Sequence, residues 1–412
     1  MGTKRSSRSE VVSSASSSAS SSSSSSSSKS ATTTTTKTAL EELASMTTLS
    51  IDSGDIDTVA YYAAMSGGNL ITDATTNPLF VSQAAYNGDV RYEAMVADAV
   101  EYAKRTTTAS AENNDDDGGR RGILPPTETT LNIAMDKLAV NLGCELCKLV
   151  PGRVSTEVDV RLSYDTERSV ERALSIMRMY DECGIPSCRI LIKLAGTWEG
   201  IRAAHILETK HGVRCNITLV FSVLQAVAAG QAGAYLISPF PGRILDWHRK
   251  NNANANSGDG DDDDDASSYY TPETDPGVLA VREMYAHYQI HGYDTICMPA
   301  SWRPSRGPTV AGSDVDEILA LAGVDEMTIP PSLLESLCAL DGGAVIRKCF
   351  EASTYADTDT ANSYKCDDNI LTEEQYKLEW MSEKCGQDKL KEGIDAFTIE
   401  TEKLRKILID KF

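Results

Sequence analysis

The sequence has little positive charge, few close cysteine spacings and no long apolar run. Its 412 residues carry 39 lysines and arginines against 60 aspartates and glutamates, a net charge of −21, which repels nucleic acid and anionic membrane surfaces. The ten cysteines lack the paired spacings of a disulfide framework, which favours reduced thiols in a cytosol-like compartment. No stretch is apolar enough to span a bilayer. Nucleic-acid binding, membrane association and a disulfide scaffold are therefore excluded as first interpretations.

The first 38 residues almost completely lack apolar side chains. Residues 1–38 are mostly serine, threonine and alanine, with five basic residues and one acid, Glu10, so they are predicted to form a disordered tail. A cytoplasmic location is the first prediction. A plastid or another organelle is the alternative, because transit peptides are also basic and serine-rich. Gly2 and Ser6 also match a myristoylation pattern, which arises easily in so serine-rich a tail.

Two further segments are poor in hydrophobic residues and rich in aspartate. Residues 111–122 contain three consecutive aspartates followed by two glycines, and residues 251–268 contain five consecutive aspartates. Both are predicted to be acidic loop insertions in a single folded domain, residues 39–412. The second lacks the ligand spacing of a calcium-binding EF-hand loop, and no metal site is predicted.

Short apolar runs recur along the folded part, separated by segments of helical periodicity. The eight runs are 49–51, 70–74, 154–158, 190–194, 215–220, 234–237, 295–298 and 327–329. Eight strands that alternate with helices predict an α/β protein with a single (β/α)8 barrel. A doubly wound open sheet is the alternative, but no Gly-x-Gly-x-x-Gly turn follows an early strand.

The segment after the last apolar run has the pattern of additional helices. Thr372 and Gln375 resemble a capping box. Further on, apolar residues form a helical stripe at Ile394, Phe397, Leu404 and Leu408. These patterns predict extra C-terminal helices packed on the outside of the barrel.

Polar side chains lie at inward positions within most of the predicted strands or directly after them, towards the end of a barrel where chemistry is carried out. They are Asp52, Thr75, Asn77, Glu157, Asn216, Thr218, Ser238, Arg243, Ser301 and Arg303. Asp52, Glu157 and Thr218 have the groups needed to move protons. The two arginines and Ser301 can donate charge-assisted hydrogen bonds to a substrate phosphate. The set predicts acid–base chemistry on a phosphorylated substrate.

The run 190–194 contains a lysine at an inward position. Its period-two alternation places Lys193 inside the barrel and Ile192 and Leu194 outside. Burial disfavours the charged ammonium and so favours the free amine, which attacks carbonyl groups to form a Schiff base. The alternative is a structural lysine paired with Glu157 or Asp52. The surrounding acid–base residues favour the catalytic interpretation.

Six motifs together resemble the transaldolase family over residues 39–412. They are Asp-Ser-Gly-Asp (52–55), Asp-Ala-Thr-Thr-Asn-Pro (73–78), Leu-Val-Pro-Gly-Arg-Val-Ser-Thr-Glu-Val-Asp (149–159), Arg-Ile-Leu-Ile-Lys-Leu-Ala (189–195), Cys-Asn-Ile-Thr-Leu-Val-Phe-Ser (215–222) and Leu-Ile-Ser-Pro-Phe-Pro-Gly-Arg-Ile-Leu-Asp-Trp (236–247). The resemblance implies a class I aldolase barrel, in circularly permuted form. It also implies an enzyme of the non-oxidative pentose phosphate pathway that needs no cofactor and no metal and often forms a homodimer.

The resemblance also implies a reaction. Lys193 would hold dihydroxyacetone, taken from sedoheptulose 7-phosphate or fructose 6-phosphate, and pass it to glyceraldehyde 3-phosphate or erythrose 4-phosphate. Asp52 matches the acid–base group for carbon–carbon cleavage, and Glu157 and Thr218 match a pair that acts on the amine through a water. The implied substrate contacts are Asn77 and Ser238 to the three-carbon unit, Phe240 along the wall, and Arg243, Ser301 and Arg303 to the phosphate.

Some features of the sequence depart from the family pattern or leave alternatives open. Pro241, Pro299 and Pro304 could stiffen the phosphate loop, since proline fixes φ and lacks an N–H. A smaller aldolase that releases dihydroxyacetone and a barrel that has lost catalysis are the competing functions. Cys144 and Cys147 form a single Cys-x-x-Cys, for which packing is a more frequent role than redox or metal chemistry.

Overall fold

The computed structural model describes residues 37–68, 70–112, 126–256, 270–345 and 370–412. From Lys37 onward these residues belong to one compact unit. The predicted tail lies outside the described residues except at its end. There Thr38, which composition assigned to the disordered tail, accepts a hydrogen bond from the Glu41 N–H and caps the first helix. The folded part therefore begins before residue 39.

Strands and helices alternate along the chain. The strands are Thr48–Asp52 (β1), Asp73–Thr75 (β2), Val154–Glu157 (β3), Ile190–Ala195 (β4), Cys215–Val220 (β5), Leu236–Pro239 (β6), Ile296–Cys297 (β7) and Glu326–Ile329 (β8). The helices are Ala39–Ala44 (α1), Ile56–Ala64 (α2), Pro78–Tyr86 (α3), Val90–Glu112 (α4), Glu128–Leu149 (α5), Thr166–Glu182 (α6), Trp198–Ile206 (α7), Val223–Gln231 (α8), Pro241–Asn256 (α9), Pro276–His291 (α10), Asp316–Ala320 (α11), Pro331–Ala339 (α12), Glu373–Trp380 (α13) and Lys384–Ile409 (α14).

The eight strands form one parallel sheet in the order β7-β6-β5-β4-β3-β2-β1-β8. Two hydrogen bonds link its first and last strands: the Thr328 N–H donates to the Pro299 carbonyl at 3.2 Å, and the Cys297 N–H donates to the Asp325 carboxylate at 3.0 Å. The sheet is thus a nearly closed barrel with helices between its strands. The predicted (β/α)8 fold is confirmed, and each of the eight apolar runs overlaps a strand.

The alternation along the strands separates an outer apolar layer from the barrel interior. Ile190 and Ile192 face the helices and belong to the main hydrophobic core. Leu191 of β4, Leu236 of β6 and Met298, which directly follows β7, form a separate small cluster, as residues that face into the barrel would. The polar inward residues therefore lie above an apolar layer, which fixes their positions and limits their access to water.

The last helix lies across the mouth of the barrel. Gly393 of α14 lies so close to β5 that an added Cβ would come within 2.7 Å of the Leu219 side chain. Phe397 lines the central cavity, and its stripe partners Leu404 and Leu408 are buried. The C-terminal helices were predicted on the outside of the barrel. For α14 that placement holds at Leu404 and Leu408, which belong to the main core outside the barrel, but it is wrong at Phe397, which lines the cavity at the strand ends.

Both predicted acidic insertions begin later than composition indicates. Helix α4 continues through Glu112, and helix α9 continues through Asn256. The remainder of each predicted insertion, up to 122 and from 257 to 268, lies outside the described residues. Within the part of the chain that the structure describes, no helix is long and apolar enough to cross a membrane.

A buried histidine on α10 gives the fold a pH-dependent stability. His287 is 3 % exposed, and neither ring nitrogen has a hydrogen-bond partner among the described residues. Burial, with a smaller contribution from His291, lowers its pKa from 6.5 to about 4. Between these values the unfolded chain binds a proton on this histidine that the folded chain does not. The free energy of unfolding therefore decreases as the pH falls from about 6.5 to about 4.

We expect His287→Leu to reduce the acid sensitivity of folding. Between pH 7 and pH 4 the free energy of unfolding of the variant should fall by less than that of the parent chain, by up to about 3 kcal/mol. Urea unfolding at several pH values measures this difference. His211→Leu, at an exposed position, is the matched control. Equal acid sensitivity in the parent and the His287 variant would contradict this account.

Candidate active site

A cavity lined by both polar and apolar side chains lies at the carboxyl ends of the strands. It encloses about 150 Å³, room for several water molecules or a small polar ligand. Eight of the predicted site residues line it: Asp52, Thr75, Asn77, Lys193, Ser238, Phe240, Arg243 and Ser301. Glu157, Asn216, Thr218 and Arg303 do not line this cavity and occupy positions around it. Residues from distant parts of the sequence therefore meet at the edge of the barrel where chemistry is expected.

Lys193 lies at the centre of the barrel, on β4. It is 5 % exposed. Its Nζ donates a hydrogen bond to the Thr76 carbonyl at 3.3 Å and lies 3.6 Å from Oε2 of Glu157. The second distance is too long for a good hydrogen bond but allows an ion pair. The amine is thus held by one carbonyl and one carboxylate while it faces the cavity.

Asp52 ends β1 beside the lysine and is oriented by two threonines. The Thr75 hydroxyl donates to Oδ1 of Asp52 at 2.8 Å and lies 2.7 Å from the Thr328 hydroxyl. Because the Thr75 proton is used on Asp52, the Thr328 hydroxyl acts as the donor to Thr75. Burial raises the pKa of Asp52, against the opposing charge of Lys193. This carboxylate is therefore fixed in position and a stronger base than an exposed aspartate.

Glu157 is the second carboxyl group beside the lysine. Its side chain is 4 % exposed, and neither oxygen has a hydrogen-bond partner among the described residues. Burial raises its pKa to about 7, although Lys193 favours the ionised form. Glu157 borders a second cavity of about 50 Å³, which shares Asn77 with the first. Near neutral pH this carboxyl group can both give and accept a proton.

Thr218 and Asn216 lie next to the lysine on β5. The Thr218 hydroxyl is buried and, like Glu157, has no hydrogen-bond partner in the part of the chain that the structure describes. Asn216 accepts a hydrogen bond from the Ser238 hydroxyl at 2.8 Å and donates to the Ser155 hydroxyl at 3.2 Å. Asn216 therefore orients Ser238 from below, instead of lining the cavity.

Arg243 reaches the cavity from the first turn of α9. Its guanidinium lies over the rings of Phe240 and Phe397, 5.0 and 5.9 Å from their centroids. Burial, together with the nearby charge of Arg303, lowers its pKa. A Cβ on the preceding Gly242 would lie 2.4 Å from the Ser301 carbonyl, so this turn can approach the β7 loop only with glycine. The result is a desolvated cation that lines the same cavity as Ser301.

Arg303 lies near Arg243, but its own side chain is paired with Asp246. Its Nε donates to Asp246 at 3.1 Å, and its side chain is 39 % exposed. Its backbone N–H donates to the buried Glu317 carboxylate. Arg303 therefore contributes positive charge near Arg243, whereas Arg243 alone of the two lines the cavity.

Sequence reasoning missed several cavity residues. Thr328 is an inward residue of β8, and the alternation of the run 327–329 was a signal that could have identified it. Phe397 belongs to the predicted apolar stripe of α14, and no local pattern indicates that it faces the site. The remaining residues, all apolar, are Leu79, Met298 and Ala300. The site is thus more enclosed and more apolar on one wall than the polar candidates implied.

No group of three or more histidine, cysteine or acidic side chains that could hold a metal occurs among the described residues. The chemistry available at the site is that of an amine between two carboxyl groups, with a cation at the rim. A desolvated lysine of this kind suits attack on a carbonyl carbon, and the carboxyl groups suit the accompanying proton transfers.

Comparisons with known proteins identify the family to which the chain belongs. The family described as "Transaldolase/Fructose-6-phosphate aldolase" matches residues 49–408. The chain is 40 % identical to a transaldolase of Histophilus somni strain 2336 over 375 residues, covering 91 % of this chain and 99 % of that protein. It is also 40 % identical to transaldolase B of Pasteurella multocida over 374 residues, with the same coverages. It is 42 % identical to a transaldolase of Shewanella strain MR-7 over 369 residues, covering 90 % of this chain and 97 % of that one. The chain is therefore an enzyme of the transferase class and belongs to the transaldolase family.

Proposed function

We propose that this enzyme transfers a dihydroxyacetone unit from a ketose phosphate to an aldose phosphate through a Schiff base on Lys193. The donors are sedoheptulose 7-phosphate and fructose 6-phosphate, and the acceptors are glyceraldehyde 3-phosphate and erythrose 4-phosphate, as in the non-oxidative pentose phosphate pathway. The observation that carries the proposal is the place of Lys193. Its amine faces a cavity, with Glu157 3.6 Å away and Asp52 among the other lining residues.

The reaction begins with attack of the Lys193 amine on the ketone carbon of the donor. The carbinolamine that forms must lose its hydroxyl group as water to become an iminium ion. Glu157, whose pKa is about 7, supplies the proton for that loss. The unpartnered Glu157 and Thr218 oxygens are acceptor sites for a water that carries the proton, since buried polar groups normally have hydrogen-bond partners.

Cleavage of the donor then requires a base. Asp52 removes the proton from the hydroxyl group next to the breaking carbon–carbon bond, and the electron pair of that bond moves into the iminium to give an enamine. The aldehyde product leaves. Attack of the enamine on the acceptor aldehyde reverses these steps, with Asp52 returning the proton. Thr75, itself hydrogen-bonded to Thr328, keeps the Asp52 carboxylate in place.

In this proposal Arg243 and Ser301, which both line the cavity, hold the substrate phosphate at the rim. We expect Arg243→Gln to raise KM for fructose 6-phosphate by about 10- to 100-fold, because charge-assisted hydrogen bonds contribute about 1.5–3 kcal/mol each. Arg303→Gln should raise KM by less, since Asp246 already neutralises that guanidinium. Steady-state kinetics with fructose 6-phosphate and with unphosphorylated fructose measures the effect. A KM rise of the same size for both sugars would contradict a phosphate contact.

Borohydride trapping tests the proposed intermediate. The enzyme is incubated with fructose 6-phosphate and reduced with sodium borohydride, and its peptides are then mapped by mass spectrometry. The expected product is a reduced three-carbon adduct on Lys193, absent when the sugar is omitted. Buried Lys389, which pairs with Glu392 on α14, should carry no adduct. An active enzyme without an adduct on Lys193 would rule out the mechanism.

Release of free dihydroxyacetone is the second candidate, since the family that matches this chain includes fructose-6-phosphate aldolases. The coverage of the mouth by α14 favours transfer, because it limits the access of water to an enamine on Lys193. An assay with fructose 6-phosphate and erythrose 4-phosphate separates the two reactions. Sedoheptulose 7-phosphate should form much faster than free dihydroxyacetone. Equal rates would favour the aldolase.

A further inference from the structure

The backbone of β5 is irregular directly after Thr218. Leu219 has a φ of 58°, in the left-handed region that residues other than glycine rarely adopt. The pairing with β6 shifts at the same point. Thr218 pairs with Ser238, whereas the next pair is Val220 with Pro239. Two steps along β5 therefore match one step along β6, which is a β-bulge, and bulges redirect the side chains of a strand.

The bulge changes which side chains of β5 face into the barrel. Before it, Asn216 forms its hydrogen bonds inside the barrel, and Ile217 belongs to the main core outside it. Strict alternation would place Thr218 inward and Val220 inward as well. Val220 instead belongs to the same outer core as Ile217, and Leu219 belongs to a different apolar cluster. Thr218 is therefore the last residue of β5 that faces into the barrel.

One buried side chain, Gln225 of α8, holds the backbone around the bulge. It is 0 % exposed. Its Nε2 donates hydrogen bonds to the carbonyls of Leu219 at 3.1 Å and Gly196 at 2.7 Å. Its Oε1 accepts from the backbone N–H groups of Phe221 at 2.8 Å and Ser222 at 3.2 Å. This amide thus fixes the backbone from the strained residue onward and ties it to the residue that follows β4.

Helix capping alone does not account for these bonds. Gln225 is the third residue of α8 and forms a capping box with Ser222, and a capping box uses only the oxygen of the glutamine amide. The two bonds donated by Nε2 are additional to it. A residue other than glycine at positive φ costs free energy and persists only where its surroundings fix it. The bond from Nε2 to the Leu219 carbonyl supplies such a restraint.

We propose that Gln225 is a positioning residue for the transfer reaction, which holds β5 in the bulged form that keeps the Thr218 hydroxyl inside the barrel, next to the reacting lysine. In the proposed function, on which this role depends, Thr218 and Glu157 hold the water that carries a proton to the carbinolamine. The Thr218 hydroxyl has no hydrogen-bond partner among the described residues, so its position depends on the backbone that carries it. Without Gln225 that backbone relaxes, and a misplacement of about 1 Å can cost roughly 10²-fold in rate.

The rate of Schiff-base formation tests the proposal. Full-length enzyme is mixed with fructose 6-phosphate and reduced with borohydride after a series of times. We expect Gln225→Met to slow adduct formation on Lys193 roughly 10- to 100-fold, with a change of less than about threefold in the sugar concentration that gives half the maximal rate. Ser222→Ala is the matched control, because it removes the cap of α8 but leaves Nε2 bonded to Leu219. It should form the adduct at nearly the parent rate.

A double-mutant cycle shows whether Gln225 acts through the threonine. Thr218→Val removes the hydroxyl group but keeps the shape of the side chain. Addition of Gln225→Met to Thr218→Val should slow adduct formation by less than about threefold more, because the group that Gln225 positions is already gone. A purely structural role would make the two losses multiply. That result would overturn the proposal, as would a parent rate in Gln225→Met alone.

Gln225→Glu is the second variant, used where Gln225→Met does not fold by circular dichroism. Its carboxyl group keeps the acceptor for Phe221 and Ser222 but can donate at most one of the two hydrogen bonds, so it should slow adduct formation roughly three- to tenfold. A parent rate in this variant overturns the role of Gln225 alone. A parent chain that forms no adduct overturns the proposed mechanism and this role with it.

Discussion

Replacement of Lys193 by methionine is expected to lower kcat by roughly 10⁴-fold or more, as for other covalent catalysts that lose their nucleophile. Methionine keeps the length and most of the apolar volume of the side chain, so the barrel interior should remain packed. The hydrogen bond to the Thr76 carbonyl and the ion pair with Glu157 are lost along with the amine. Initial rates and borohydride trapping on the same preparation measure the change.

A matched control separates loss of the nucleophile from loss of a buried lysine. Lys389 on α14 is also largely buried, and its ammonium pairs with Glu392. We expect Lys389→Met to retain activity within a few-fold of the parent chain. Lys193→Arg keeps the positive charge but cannot form a Schiff base, so it should be as inactive as Lys193→Met. Activity in the arginine variant would mean that Lys193 acts only through its charge.

The fold could be predicted from the sequence because its signals are local. Each strand is a short apolar run, and the alternation along 190–194 is by itself enough to predict that Lys193 faces into the barrel. Strand ends were less certain: the run 234–237 corresponds to Leu236–Pro239, and the run 70–74 to Asp73–Thr75. Boundaries shift because hydrogen bonding with neighbouring strands, rather than hydrophobicity, determines where a strand begins and ends.

Contacts between distant segments could not be predicted in the same way. The partner of Arg303 is Asp246, 57 residues away, and nothing near either residue indicates the pair. Helix α14 was recognised as amphipathic, but an apolar stripe does not say which surface it covers. Local periodicity specifies elements and faces, whereas pairing across the fold requires the structure.

Asp52→Asn is expected to stop the reaction after the Schiff base has formed. The amide keeps the shape of the side chain but cannot remove a proton, so kcat should fall by roughly 10²- to 10⁴-fold. The iminium of fructose 6-phosphate should then accumulate, and borohydride should trap a six-carbon adduct on Lys193 instead of a three-carbon adduct. Mass spectrometry distinguishes the two. A three-carbon adduct formed at the parent rate would show that Asp52 is not the base for cleavage.

Glu157→Gln should block the step before the iminium, which is its formation from the carbinolamine. Without a carboxyl group to supply a proton, the carbinolamine should lose water slowly, and the amount of trapped adduct should fall together with kcat. In the parent chain, the rate of iminium formation should decline above about pH 7, because Glu157, whose pKa is about 7, then loses its proton. The glutamine variant should lack that decline. Only loss of the base for cleavage should leave the six-carbon iminium to accumulate. If Asp52→Asn and Glu157→Gln both accumulated the six-carbon adduct, the two carboxyl groups would not have separate roles.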